Sequence, residues 1–206
     1  MDTLFILILL GIVISVLGVF LWWYYPYVRK PWASKNGRLY GQKSADQPLC
    51  LSVENPSVVV CKARREMELY DGRTLVKTYR IALGLNPVED KRKEGDACTP
   101  EGDFYICTKN DRSRLHLFLG LSYPNREDAE RGLKSGLISE KEYARILDAL
   151  AAGRRPPWNT RLGGEIGIHG EGSRVDWTQG GIALENDDIE ELFMVMEPGS
   201  PVKILP

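Results

Sequence analysis

The stretch "EMELYDGRTLVKTYRIALG", residues 66–84, sets Asp71-Gly72 between two runs in which apolar and polar residues alternate. An Asp-Gly pair in that setting supplies the backbone freedom of a tight hairpin turn, so the stretch predicts two antiparallel strands. Upstream, "CLSVENPSVVVCKARR" (50–65) adds a β-branched run. Downstream, "GDFYICTKN" (102–110) and "RLHLFLGLSYP" (114–124) read as further strands.

The period changes between residues 126 and 153. "NREDAERGLKSGL" (125–137) predicts a short helix and "SEKEYARILDALAAG" (139–153) a longer one. In the longer helix Ser139 is the N-cap, Glu142 closes a capping box and Gly153 lies near the end. Its apolar positions, Tyr143, Ile146, Leu147 and Leu150, recur at helical spacing. "RRPPWNTRLGG" (154–164) is a loop, "EIGIHG" (165–170) a short strand and "GSRVDWTQGG" (172–181) another loop. "ENDDIEELFMVM" (185–196) predicts a helix with acidic residues favourably placed in its first turn. "SPVKILP" (200–206) closes as a strand. The expected architecture is a mostly β (α+β) sandwich over residues 51–206, with a helical insertion at about 126–153.

Composition narrows the function classes. The 27 basic and 28 acidic residues nearly cancel, so no global field points to nucleic acid. With 43% hydrophobic residues in 206, the chain has the material for a packed core. The four cysteines, Cys50, Cys61, Cys98 and Cys107, show neither a CxxC nor a zinc spacing. A Cys50–Cys61 disulfide and buried free thiols are both open readings.

Residues 1–28 predict a transmembrane anchor. No charge lies between Thr3 and Val28, and Leu4–Leu21 is almost wholly aliphatic. That run supplies the roughly 20 apolar residues a bilayer-spanning helix needs. Trp22, Trp23, Tyr24, Tyr25 and Tyr27 follow as an aromatic belt. A cleavable signal peptide fits less well, because no basic residue precedes the run and no A-x-A site follows it. Residues 29–50, with Pro31, Gly37, Gly41 and Pro48, read as a linker. Arg29, Lys30, Lys35, Arg38 and Lys43 follow the span, and the positive-inside tendency alone would leave the main domain in the cytoplasm.

Several segments then fall into a specific order: "LYDGRTLVKTYRIALG" (69–84), "KEGDACTPEGDFYI" (93–106), "LHLFLGLSYPN" (115–125), "LGGEIGIHG" (162–170), "DWTQGGIALENDDIEELF" (176–193) and "GSPVKILP" (199–206). In this order they resemble the L,D-transpeptidase catalytic domain (YkuD type), in its branch with an IHG…DWTxGCIA pattern. The resemblance covers roughly residues 51–206. It implies cysteine-dependent acyl transfer on peptidoglycan stem peptides, within cell-wall biogenesis and cell shape. The family's thiolate attacks an amide carbonyl at a diaminopimelate residue to form a thioester. An amine or water then takes the acyl group. No cofactor or metal is implied, and "ENDDIEEL" reads as a solvated helix start rather than a metal site.

Carried over by position, the family's histidine base is His169 and its nucleophilic cysteine falls at Gly181. Gly180 supplies oxyanion-hole backbone. A thiol beside a histidine would be acidified and strongly nucleophilic, whereas Gly181 has no side chain at all. Loss of a nucleophile from such a site costs on the order of 10⁶ in rate. Thr178, Cys98 and Cys107 are poor substitutes, since each matches a structural position. The substrate-binding candidates are His116, Tyr123, Gly170, Asp176, Trp177, Thr178 and Gln179. For His116 and Tyr123 packing is the alternative; for Asp176 and Trp177 the favoured reading is bracing of the loop. Arg154 and Arg155 either meet anionic wall polymer or form a solvated loop. The expected setting is a bacterial inner membrane crossed once, with the domain on the extracytoplasmic side, against the charge pattern just described.

Overall fold

The computed structural model describes residues 53–206. The expected anchor, the linker and Cys50 lie outside the described residues. Eight strands follow in chain order: β1 (Pro56–Cys61), β2 (Glu66–Asp71), β3 (Thr74–Arg80), β4 (Gly102–Ser113), β5 (His116–Leu121), β6 (Gly167–His169), β7 (Ile182–Ala183) and β8 (Pro201–Leu205). The helices are α1 (Arg126–Lys134) and α2 (Glu140–Ala151), between β5 and β6, and α3 (Asn186–Val195), between β7 and β8. None of these helices is long and apolar enough to cross a membrane.

The hairpin forms where the Asp-Gly signal lies, one position later than that pair suggests. Asp71 still pairs with Thr74, so the loop residues are Gly72 and Arg73. The cause is a competing bond: the Asp71 carboxylate accepts from Asn55 N–H at 2.9 Å, and Gly72 N–H donates to the Asn55 carbonyl at 3.0 Å. Gly72 meets the turn's demand with φ +57°.

The strands form one sheet in the order β3-β2-β1-β8-β4-β5-β6-β7. β1 lies parallel to β8, β6 parallel to β7, and every other pairing is antiparallel. The expected sandwich is therefore a single curled sheet whose two halves share β4. Residues Gly102–Tyr105 of β4 pair with β8, and from Ile106 onward the strand pairs with β5, with a register shift between Ile106 and Thr108. A bulge of this kind bends the strand and lets it serve both halves. Just past β3, Ala82 exchanges two backbone hydrogen bonds with Ala183 of β7, at 2.9 and 2.8 Å. That bridge links the chain beyond one edge of the sheet to the strand at the other edge.

Strand alternation fills the interior. Val58 and Val60 of β1, Met67 and Leu69 of β2, and Val202 and Ile204 of β8 are all buried in one cluster with Ile189 and Leu192 of α3. A second cluster lies under the insertion, where Ile146 packs with Ala129, Ile138 and Leu162, flanked by Tyr143 and Leu150. The Ser139–Glu142 capping box forms as the sequence predicts. A matching box caps α1 through Asn125 and Asp128. The sequence reading missed it because Asp replaces the Glu or Gln that signals such a box.

Buried Lys62, at the end of β1, anchors the long 84–101 loop. Its ammonium donates to the carbonyls of Glu89 and Thr99, at 2.9 and 3.1 Å, and to Glu101 Oε1 at 2.7 Å. A buried cation is tolerated only with such partners. The loop so fixed lies against Gly180 through the Cys98 carbonyl.

Candidate active site

His169 ends β6, opposite Phe118 of β5 and Ala183 of β7. It is only 3% exposed. Its Nδ1 lies 2.9 Å from the Gly170 carbonyl. A carbonyl only accepts, so Nδ1 carries the proton and Nε2 keeps a free lone pair. Burial holds the imidazole pKa below its ordinary value, opposed by the hydrogen bond to Gly170 and by Glu171. The ring is thus a neutral base near pH 7. The Trp177 ring meets it edge-on at 5.4 Å.

The Nε2 atom points at Gly181. A Cβ built on Gly181 would lie 2.8 Å from Nε2 and 3.0 Å from Cδ2 of His169. The imidazole therefore occupies part of the space that a side chain at 181 would need. Gly180, at φ +122°, is fixed by a different contact: a Cβ there would come within 2.6 Å of the Cys98 carbonyl oxygen. Only glycine satisfies both the backbone angle and the close approach.

The segment before these glycines is bound to the chain that follows β3. Asp176 accepts from Leu83 N–H at 2.8 Å and from Arg65 Nε and Nη2, at 3.0 and 2.8 Å to Oδ2. The N–H groups of Trp177 and Thr178 both reach the Leu83 carbonyl at 3.1 Å. The Trp177 indole donates to the Gly172 carbonyl at 3.1 Å. Thr178, buried, donates its hydroxyl to the Gly181 carbonyl at 2.7 Å and accepts from Gly180 N–H at 3.1 Å. Gln179 alone in this run projects into solvent.

The structure brings together His169, Gly170, Trp177, Thr178, Gly180 and Gly181. Asp176 and Thr178 act as braces through the bonds just given. Gly180 differs from expectation, because the N–H assigned to an oxyanion is already engaged by Thr178. Tyr123 is a correction: it is fully buried, with its hydroxyl donating to the Leu162 carbonyl at 3.0 Å, and lines no cleft. His116 adopts φ +67° and places its Nε2 2.8 Å from Glu190 Oε1 on α3, so its ring is engaged in packing α3 onto β5. Arg65 and Thr99, which accepts from Gly84 N–H at 3.0 Å, belong to the site's framework and were missed. No local motif could reveal them, since Arg65 meets its partner 111 positions away.

Cys61, Cys98 and Cys107 are free thiols. Burial and then Asp96 push the Cys98 thiol up, and burial pushes Cys107 up to about 11. Cys98 is also occupied, accepting from Asn86 at 3.2 Å. Neither has the acidity of a thiolate nucleophile. Among the described residues no group of three His, Cys, Asp or Glu side chains could hold a metal ion.

The sequence profile of the L,D-transpeptidase catalytic domain (YkuD) matches residues 55–204. The chain belongs to this family. Solved structures similar to the family domain here include the helical cell shape determining protein Pgp2 (K307A mutant) from Campylobacter jejuni, at 23% identity and TM-score 0.49, covering 74% of this chain and 48% of that one. Bd1075 from Bdellovibrio bacteriovorus is similar at 17% identity and TM-score 0.49, covering 73% and 48%. An L,D-transpeptidase from Xylanimonas cellulosilytica is similar at 15% identity and TM-score 0.44, covering 78% and 65%. The chain spans about half the length of the first two. No curated protein matches it.

Proposed function

We propose that this chain is a membrane-anchored, L,D-transpeptidase-like protein of peptidoglycan metabolism that binds stem peptides and has lost the thiol chemistry of its family. One observation carries the reading. His169, which the resemblance makes the base, has its Nε2 against Gly181, the position to which the resemblance assigns the nucleophile. A neutral imidazole with no thiol to deprotonate can at most activate water, and without a covalent intermediate that route is slow. Family membership over residues 55–204 supports the substrate class.

The full-length chain and its Gly181→Cys variant, incubated with muropeptides, test this. The expected result is no cross-linked or trimmed product from the natural chain, with stem-peptide binding retained. The variant is expected to gain turnover once the His169 ring turns aside to admit the new Cβ, which leaves the thiol beside its lone pair. Wild-type turnover close to that of the variant would sink the reading. If neither protein acts and neither binds stem peptides, the peptidoglycan assignment falls. The reading also requires the domain outside the cytoplasm, opposite to the side favoured by Arg29, Lys30, Lys35, Arg38 and Lys43. A compartment-sensitive reporter fused at the C-terminus decides this, and a cytoplasmic signal excludes a direct role on the wall.

A further inference from the structure

Strand pairing gives the sheet face that carries His169 a second feature. Asn110 of β4, Phe118 of β5 and His169 of β6 stand opposite one another in one row, and Thr108, Gly120 and Gly167 in the next. Opposite residues, and residues two apart along a strand, share a face, so both rows lie on the His169 side. Two neighbouring glycines leave the backbone of the second row bare. The Phe118 ring lies across both. A Cβ at Gly167 would meet its Cε2 and Cζ at 2.4 and 2.5 Å, and a Cβ at Gly120 its Cε1 at 3.0 Å. The same point above Gly120 is 3.1 Å from Cη2 of Trp158, so the indole reaches the strip with its edge. Its ring face is covered by the Arg155 guanidinium, 4.7 Å from the centre.

Phe118 is half-buried, yet it packs into neither apolar cluster. No other ring or cation stacks on it among the described residues. Polar groups stand on one side of it. The Thr108 methyl is turned toward Gly120, and its hydroxyl makes no hydrogen bond among the described residues. Asn110 accepts from Arg112 N–H through Oδ1 at 2.9 Å, which leaves its Nδ2 without a partner among the described residues. On the other side the strip runs into the candidate site, because a Cβ on Gly181 would stand 3.1 Å from the Gly167 carbonyl oxygen. A flat ring with polar groups at its edge suits a pyranose, which has a face of C–H groups and a rim of hydroxyls. An aliphatic side chain is better held by a concave pocket. By strand spacing the point above Gly120 is roughly 8 Å from His169, a span of two or three extended residues.

We propose that Phe118, flanked by the Trp158 edge, Thr108 and Asn110, is the platform for a sugar ring of the glycan that carries the stem peptide bound at His169. The inference rests on the stem-peptide reading of that site and adds the sugar to it. The full-length chain is titrated calorimetrically with the free tetrapeptide stem, with its disaccharide conjugate and with the peptide-free disaccharide. The conjugate is expected to bind about tenfold tighter than the free stem, the gain that one aromatic stacking contact supplies. Phe118→Leu should abolish that gain and leave the affinity for the free stem unchanged. Should that variant not fold, Trp158→Phe, which withdraws the indole edge from above Gly120, should reduce the same gain. Equal affinity for conjugate and free stem overturns the proposal, as does a loss in the variant that falls equally on both. A tetrapeptide of alternating Leu and Gly that binds as tightly as the disaccharide would mark a general apolar patch and overturn it too. If the free stem does not bind while the disaccharide does, and Phe118→Leu removes that binding, the stem-peptide reading falls and the sugar platform stands.

Discussion

The 176–181 and 154–159 loops use their polar groups in opposite ways. In the first, the Asp176 carboxylate, the Trp177 and Thr178 amides and the Thr178 hydroxyl are all engaged within the protein. In the second, Arg154 and Arg155 are exposed and make no ion pair among the described residues, and the Arg155 guanidinium lies over the Trp158 ring. The loop that looks most catalytic is thus bound to its own scaffold, and that binding does not depend on a side chain at 181. The bonds within "DWTQGG" thus answer demands of the fold, with Gln179 the one side chain of the run left facing solvent.

Substitutions can break this contrast, beginning with the largest effect. Gly180→Val combines a strained φ with a clash against the Cys98 carbonyl, and should cost roughly 3–5 kcal/mol in chemical denaturation. A loss under about 1 kcal/mol would mean that the loop is not braced as described. Asp176→Ala leaves the Leu83 amide without its acceptor and Arg65 without its partner, and should cost about 2 kcal/mol. Hydrogen exchange at the Leu83 amide should accelerate with it. Arg155→Gln should shift stability by no more than about 0.5 kcal/mol, as expected for an exposed group held only by stacking on Trp158.

Acidity separates the His169 site from the helical insertion, because the two titrate with opposite signs. Burial depresses the pKa of His169 below its ordinary 6.5, so the unfolded chain binds the proton more readily. Its contribution is complete above pH 6.5 and is lost as pH falls through the depressed value. Under the helical insertion, burial raises the Asp128 carboxyl from 3.8 to about 7, despite Asn125 N–H and Arg131. Here the folded state holds the proton, so the contribution is complete below pH 3.8 and is lost as pH rises through about 7. Denaturation series across pH should lose the first slope in His169→Gln and the second in Asp128→Asn. Unchanged slopes would remove these residues from the pH dependence.

What the sequence disclosed was mostly local. The Asp71-Gly72 turn, the Ser139–Glu142 box and the helix after Glu185 each involve neighbours a few positions apart. His169 and Gly181, read from the ordered "HG" and "DWTQGG" segments, lie side by side because both sit on short runs meeting between β6 and β7. Hidden were the features built by distant partners. Arg65, in the turn between β1 and β2, reaches Asp176 from 111 positions away, Tyr123 is sealed under the insertion by Leu162, and the bulge in β4 turns an expected pair of sheets into one. Alternation along a strand tells which face is apolar, but not which half of a curved sheet the strand joins.

The place of β8 has a consequence for synthesis. Val58 of β1 pairs with Val202, and Phe104 of β4 pairs with the same residue from the other side. Until residues 201–205 emerge from the ribosome, β1 and β4 have no strand between them, and the nascent chain holds two unjoined flaps with open edges. Such distant pairing slows folding and leaves sticky intermediates. The domain must therefore stay unfinished through most of its own translation, and a chain arrested before Pro201 would be a substrate for chaperones rather than a shortened version of the same fold.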